Sequence, residues 1–82
     1  MNKEIKKKQI VILGSTGSIG TQALQVVEEL PELYEVYALT ANNKVDQLIA
    51  QARKFQPEAV VIANEEKYGR LKEALSDLPI KV

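Results

Sequence analysis

Residues 9–13, QIVIL, are β-branched or leucine-rich and almost continuously apolar, the pattern of a strand buried on both faces of a parallel sheet. From Ile19 the period changes. Ile19, Ala23, Val26, Val27 and Leu30 recur at the spacing of one helical stripe, with Gln22, Gln25, Glu28 and Glu29 opposite, and Pro31 ends the run. YEVYALT, residues 34–40, predicts a second strand. A second stripe, Val45, Leu48, Ile49, Ala52 and Phe55, predicts a helix that Asn43 can cap, whose dipole Asp46 complements and which Pro57 stops. AVVIA, residues 59–63, predicts a third strand. Asn64, Glu65 and Glu66 then open a third helix with the stripe Tyr68, Leu71, Leu75 and Leu78, weakened by Gly69. Pro79, Ile80, Lys81 and Val82 read as a fourth strand just beginning. Strands alternating with helices in this way predict an α/β chain, a Rossmann-like βαβαβ arrangement with a parallel sheet and right-handed crossovers.

The stretch ILGSTGSIGTQ lies where the first strand passes into the first helix, and its glycines, Gly14, Gly17 and Gly20, come at intervals of three. A turn in this place can aim free backbone N–H groups at a phosphate, aided by the positive end of the helix dipole. Glycine serves three purposes there: the tight turn, close approach of main chain to a pyrophosphate, and close packing of helix on strand. Ser15, Thr16 and Ser18 add hydroxyl donors. The pattern GxxGxxG differs by one residue from the dinucleotide fingerprint GxGxxG, and its position after a strand and before an amphipathic helix strengthens it. A glycine-rich turn that only allows a tight connection is the plainer alternative, but such a turn needs one or two glycines rather than three in register. No Lys followed by Ser or Thr comes after the glycines, which excludes a Walker loop.

The second half of the cofactor is argued from a missing carboxylate. Folds that select NAD place Asp or Glu about 20 residues beyond the glycines to hold the ribose 2′-hydroxyl. Here that region reads Thr40, Ala41, Asn42, Asn43, Lys44, and the nearest carboxylates are Glu35 and Asp46. Asn amides, a helix N-terminus and Lys44 would attract a 2′-phosphate, so NADP(H) is expected over NAD(H). Helix capping and turn formation account for Asn42 and Asn43 equally well, and a solvated surface position for Lys44.

Composition narrows the chemistry. The 82 residues suffice for one small domain. Apolar residues at 45% and charged residues at 27% argue for a globular chain. Lys plus Arg and Asp plus Glu number 11 each, so no global field draws the chain to nucleic acid or an anionic membrane, and any anion site must be local. There is no Cys and no His, which removes disulfides, thiolate nucleophiles, imidazole bases and the usual zinc ligands. Neither a catalytic nor a metal-binding residue is therefore assigned. Residues 1–8 read as a basic, solvated leader rather than a polyanion patch at Lys6, Lys7 and Lys8, and not as a signal peptide. No segment reaches the length of a membrane span, and the expectation is a soluble, cytoplasmic protein without membrane or nucleic-acid partners.

The runs ILGSTGSIGTQALQVV and LTANNKVDQLIAQARKFQPEAVVI resemble the N-terminal NADPH-binding domain of the 1-deoxy-D-xylulose 5-phosphate reductoisomerase family, with GSTGSIG as its phosphate loop. The resemblance implies an enzyme of the methylerythritol phosphate route to isoprenoids, an oxidoreductase and isomerase. Such an enzyme rearranges and reduces a phosphorylated sugar to 2-C-methyl-D-erythritol 4-phosphate, using NADPH and a divalent cation, Mn2+ or Mg2+, and works as a homodimer. The resemblance puts Gly14, Ser15, Thr16, Gly17, Ser18, Ile19 and Gly20 in the phosphate loop, with Thr16, Gly17, Ser18 and Ile19 as the cofactor residues it carries over, and Asn42, Asn43 and Lys44 at the 2′-phosphate. Family members commonly carry Gly, a variable residue and Asn in that second loop; here Asn42 stands in the Gly position and Lys44 in the Asn position. Residues 9–82 would then be the front of a larger dinucleotide-binding domain, with catalytic, metal and substrate residues beyond position 82, and the chain alone would turn nothing over. The alternatives are a stand-alone NADP-binding or redox-sensing module, another reductase with a related turn and a downstream catalytic cysteine, and a scaffold without ligand.

Overall fold

A computed structural model describes residues 7–82. Its sheet holds three parallel strands in chain order, β1 (Lys8–Ile12), β2 (Tyr34–Ala41) and β3 (Ala59–Ile62). Helix α1 (Ser18–Glu29) joins β1 to β2 and α2 (Val45–Phe55) joins β2 to β3. A 3-10 turn (Glu65–Lys67) then leads into α3 (Tyr68–Ala74). This is the α/β, Rossmann-like arrangement that the alternation predicts. The expected fourth strand is present as a single parallel bridge, in which Lys81 N–H donates to the Glu58 carbonyl at 2.9 Å and Val60 N–H to the Lys81 carbonyl at 2.8 Å.

Strand β1 begins at Lys8, inside the stretch read as leader, because Lys8 N–H donates to the Leu33 carbonyl at 2.9 Å and the residue pairs with Tyr34. The leader's residues 1–6, Lys6 among them, lie outside the described residues. Leu13 falls in the turn beyond β1 rather than in the strand.

Between Ile10 and Val11 the register against β2 slips by one, so Ile10 pairs with Val36 and Val11 with Ala38, leaving Tyr37 as the extra residue of a bulge. The slip explains why Val36 and Leu39, three apart, are both buried on the same side. That side faces all three helices: Ile12, Leu39 and Val60 align across the strands and join Leu24, Val27, Leu48, Ala52, Leu71 and Leu75 in one core. Each fully buried leucine contributes about 1.5–3 kcal/mol of apolar burial. The other side carries Val11 and Val61, 53% and 54% exposed, so β1 is not buried on both faces as its apolar run predicts. Among the described residues the helices pack against one face of the sheet only.

The first helix also turns a different face inward from the one its apolar spacing predicts. Gly20, Leu24 and Val27 are its buried residues, while Ile19 is 84% exposed and Val26 and Leu30 are also exposed. Gly20 fixes this rotation by lying against the backbone of Gly14 and Ser15. The third helix is shorter than its stripe, with Leu71 inside it and Leu75 at its end buried, and Leu78 packing against the core from beyond it. No helix of the described residues is long and apolar enough to cross a membrane.

Candidate functional site

The turn after β1 is tied at both ends to elements far along the chain. Gly14 has φ +71°, a left-handed conformation that costs other residues about 1–2 kcal/mol. Its N–H donates to Thr40 Oγ1 at 3.0 Å, and the next N–H, of Ser15, donates to the Thr40 carbonyl at 2.8 Å. Ser15 is fully buried. Its hydroxyl donates to Gln51 Oε1 at 2.7 Å and its carbonyl accepts from Gln51 Nε2 at 2.8 Å. The hydroxyl donor expected at Ser15 therefore points into the protein, toward α2, because the turn needs an internal partner there.

What remains of the turn faces outward. Gly17 takes the N-cap position of α1 and supplies no side chain to cap it. The first helical bond is Thr21 N–H to the Gly17 carbonyl at 2.9 Å, so the N–H groups of Ser18, Ile19 and Gly20 precede it, and the first turn holds no acidic residue. Such a helix start favours an anion. Gly20 lies behind, where a Cβ would collide with the Gly14 carbonyl oxygen and stand 2.7 Å from Ser15 Cα. A Cβ on Gly17 would meet only the Gly14 carbonyl oxygen, at 3.4 Å. The three glycines thus divide the work: a left-handed turn, an open approach, and close packing of helix on turn.

Helix α2 starts beside this turn. Lys44 is its N-cap residue, without a side-chain cap. Asn43, expected to cap it, instead accepts at Oδ1 from Asn64 Nδ2 at 2.8 Å, while its carbonyl takes the Val45 N–H at 2.8 Å. Asp46 in the first turn is drawn sideways to Arg70, with Oδ1 accepting from Nη2 at 2.5 Å and Nε at 3.1 Å. Between the two uncapped helix starts runs a cleft of about 480 Å³ lined by Gly14, Thr16, Gly17, Ser18, Asn42, Asn43 and Lys44. Lys44 is the one charged residue in that lining. Ile19 follows Ser18 and is exposed but is not part of that lining, and Ser15 and Gly20 support the turn from behind. Among the described residues no three carboxylate, thiol or imidazole groups stand close enough together to hold a metal ion.

Sequence reasoning found the lining of the cleft and, at Ser15 and Gly20, part of its support, but not the partners that anchor it from other elements. Thr40, Gln51 and Asn64 hold the two loops in place, yet each lies on another element and shows only after the chain is folded.

The family model described as 1-deoxy-D-xylulose 5-phosphate reductoisomerase matches residues 10–82. The 1-deoxy-D-xylulose 5-phosphate reductoisomerase of Bacteroides fragilis (strain YCH46) is 90% identical over 79 residues, which cover 96% of this chain and 20% of that protein. The protein of the same name from Porphyromonas gingivalis (strain ATCC 33277) is 64% identical over 76 residues, covering 93% of this chain and 20% of its own length. Among solved structures, the 1-deoxy-D-xylulose 5-phosphate reductoisomerase of Zymomonas mobilis in complex with NADPH superposes with a TM-score of 0.88 at 37% identity, over 93% of this chain and 20% of that one. A DOX-P reductoisomerase in complex with NADPH, fosmidomycin and magnesium gives a TM-score of 0.85 at 33% identity, over 90% of this chain and 18% of that one. The chain spans about a fifth of the length of the curated relatives it matches. By this match along nearly all of its described length, the chain belongs to the 1-deoxy-D-xylulose 5-phosphate reductoisomerase family.

Proposed function

We propose that the cleft between the glycine turn and residues 42–44 holds NADPH. In this reading the chain is the cofactor-binding, N-terminal portion of an enzyme that converts 1-deoxy-D-xylulose 5-phosphate to 2-C-methyl-D-erythritol 4-phosphate. The observation that carries it is the make-up of the cleft: two uncapped helix starts, a glycine side with nothing bulky in the way, and Lys44 as its one charged residue. A diphosphate is a good match for the first helix start and a 2′-phosphate for the second. Thr16, Gly17, Ser18 and Ile19 receive the pyrophosphate, and Asn42, Asn43 and Lys44 receive the 2′-phosphate. Gly14, Ser15 and Gly20 keep the turn in shape for it.

When bound, NADPH supplies the hydride. The chain's own part is to orient the cofactor and neutralise its phosphates, so that binding energy is spent on position. Among the described residues no cluster of side chains fits the divalent cation that the family's chemistry implies. The same reading puts the NADP-binding unit at residues 9–82 together with Lys8, which opens β1, behind a basic leader. It puts the phosphorylated sugar and the metal on a catalytic domain of a cytoplasmic homodimer. Titration calorimetry tests it: NADPH binds the chain at least tenfold more tightly than NADH, and neither is turned over with substrate and manganese. Equal affinity for the two, or binding of neither, refutes the cleft assignment.

A further inference from the structure

Asn64 follows β3, across from the 42–44 loop, and its hydrogen bonds have a direction that chemistry fixes. Its Oδ1 accepts from the Glu66 backbone N–H at 3.0 Å. A backbone N–H can only donate, so the oxygen end of this amide has to face it, and Nδ2 faces the other way. There it donates to Asn43 Oδ1 at 2.8 Å. The oxygen of Asn43 is thereby engaged, and the group left over on that side chain is its NH2, a pure donor. Two backbone bonds keep the pair in register: Asn64 N–H to the Asn42 carbonyl at 3.0 Å and Ala63 N–H to the Ala41 carbonyl at 2.9 Å. Asn43 lines the cleft and is exposed to it.

We infer that Asn64 is a positioning residue that sets the amide polarity of Asn43, so that the cleft meets a ligand at this point with donors only and thereby selects a 2′-phosphate over a 2′-hydroxyl. The inference rests on the cleft being the NADPH site. A phosphate dianion only accepts hydrogen bonds, whereas a ribose hydroxyl both donates and accepts. An untied asparagine can turn either end to the ligand and serves the hydroxyl as well as the phosphate. A tied one serves the phosphate better.

The test uses the whole chain with NADPH and NADH as probes. Asn64→Ser keeps an oxygen to cap the Glu66 N–H but is too short to reach Asn43, and it adds no charge. It is expected to weaken NADPH about fivefold, the effect of having to order the freed Asn43 side chain on binding, with NADH binding as in the parent and the urea midpoint close to it. Asn64→Asp, which offers Asn43 an acceptor and so turns the Asn43 oxygen outward, is expected to weaken NADPH further. In the parent, the Asn43 side-chain amide resonances are expected to shift with 2′-AMP and not with 5′-AMP, a readout that a folding defect in either variant cannot affect. Unchanged NADPH affinity in a stable Asn64→Ser variant, an equal loss for both nucleotides, or Asn43 resonances that ignore 2′-AMP would each overturn the inference while NADPH still binds the parent. A parent chain that binds neither nucleotide removes the site itself, and the inference with it.

Discussion

Replacing Gly20 by alanine puts a methyl group where the structure has backbone. The new Cβ collides with the Gly14 carbonyl oxygen and stands 2.7 Å from Ser15 Cα and 2.9 Å from the Ser15 carbonyl carbon. Carbon atoms rest about 3.5–4.0 Å apart, so α1 or the turn has to retreat by about 1 Å. The turn resists, because Gly14 and Ser15 are bonded to Thr40 and Ser15 is clamped by Gln51. Overpacking of this kind costs about 1–3 kcal/mol. Disengaging one anchor bond costs about 1 kcal/mol more, and alanine's better helix propensity returns about 1 kcal/mol. The expected net loss is about 2 kcal/mol, which in a domain of this size lowers Tm by roughly 10 °C. Gly17→Ala is the control, since its Cβ meets only one atom, at 3.4 Å, and its backbone, φ −81° and ψ 175°, suits any residue. Stability should stay within about 0.5 kcal/mol of the parent, while NADPH affinity falls about 10-fold or more as the methyl enters the ligand's path. Urea unfolding followed by circular dichroism, with calorimetry for binding, reads both effects. A Gly20→Ala chain as stable as the parent, or a Gly17→Ala chain that binds NADPH undiminished, would refute the division of labour among the glycines.

Two more outcomes are expected. Lys44→Gln should weaken NADPH about fivefold or more and flatten the salt dependence of binding, leaving NADH unchanged, because it removes the cleft's one charge; calorimetry at two ionic strengths checks it. Gln56 ends α2 at φ 48°, so Gln56→Gly should relieve left-handed strain and stabilise the chain by about 0.5 kcal/mol, provided the Gln56 N–H bond to the Ala52 carbonyl persists; a lower urea midpoint would contradict it.

The strands and helices were legible because each is announced locally: QIVIL and AVVIA by apolar β-branched runs, α2 by a stripe whose Val45, Leu48 and Ala52 are buried. Helix α1 was legible as a helix but not in its orientation. Apolar spacing weighs Ile19 and Val26 heavily and gives glycine no weight, whereas in the fold Gly20 is the point of closest approach and turns Leu24 inward. The bulge at Tyr37 was equally hidden. It depends on how β1 and β2 slide past one another, and a period-two reading of either strand alone contains no trace of that slip.

The candidate site divides along the same line. Glycines at intervals of three and a carboxylate-free loop are properties of short stretches, and they led to the residues that line the cleft. The donors those residues present depend on partners far away in sequence, and here the local reading went astray. Ser15 looks like a free hydroxyl until Gln51 engages it, and Asn43 looks like a helix cap until Asn64 takes its oxygen. Local rules rank Ser and Asn as capping and turn residues because their short side chains reach nearby backbone. In a parallel sheet the turns after successive strands gather at the carboxyl ends of the strands, so a side chain from the next crossover can compete for the same atoms. Gln51 and Asn64 are the residues that win that competition, which is why a substitution at either one should alter the cleft without touching its lining.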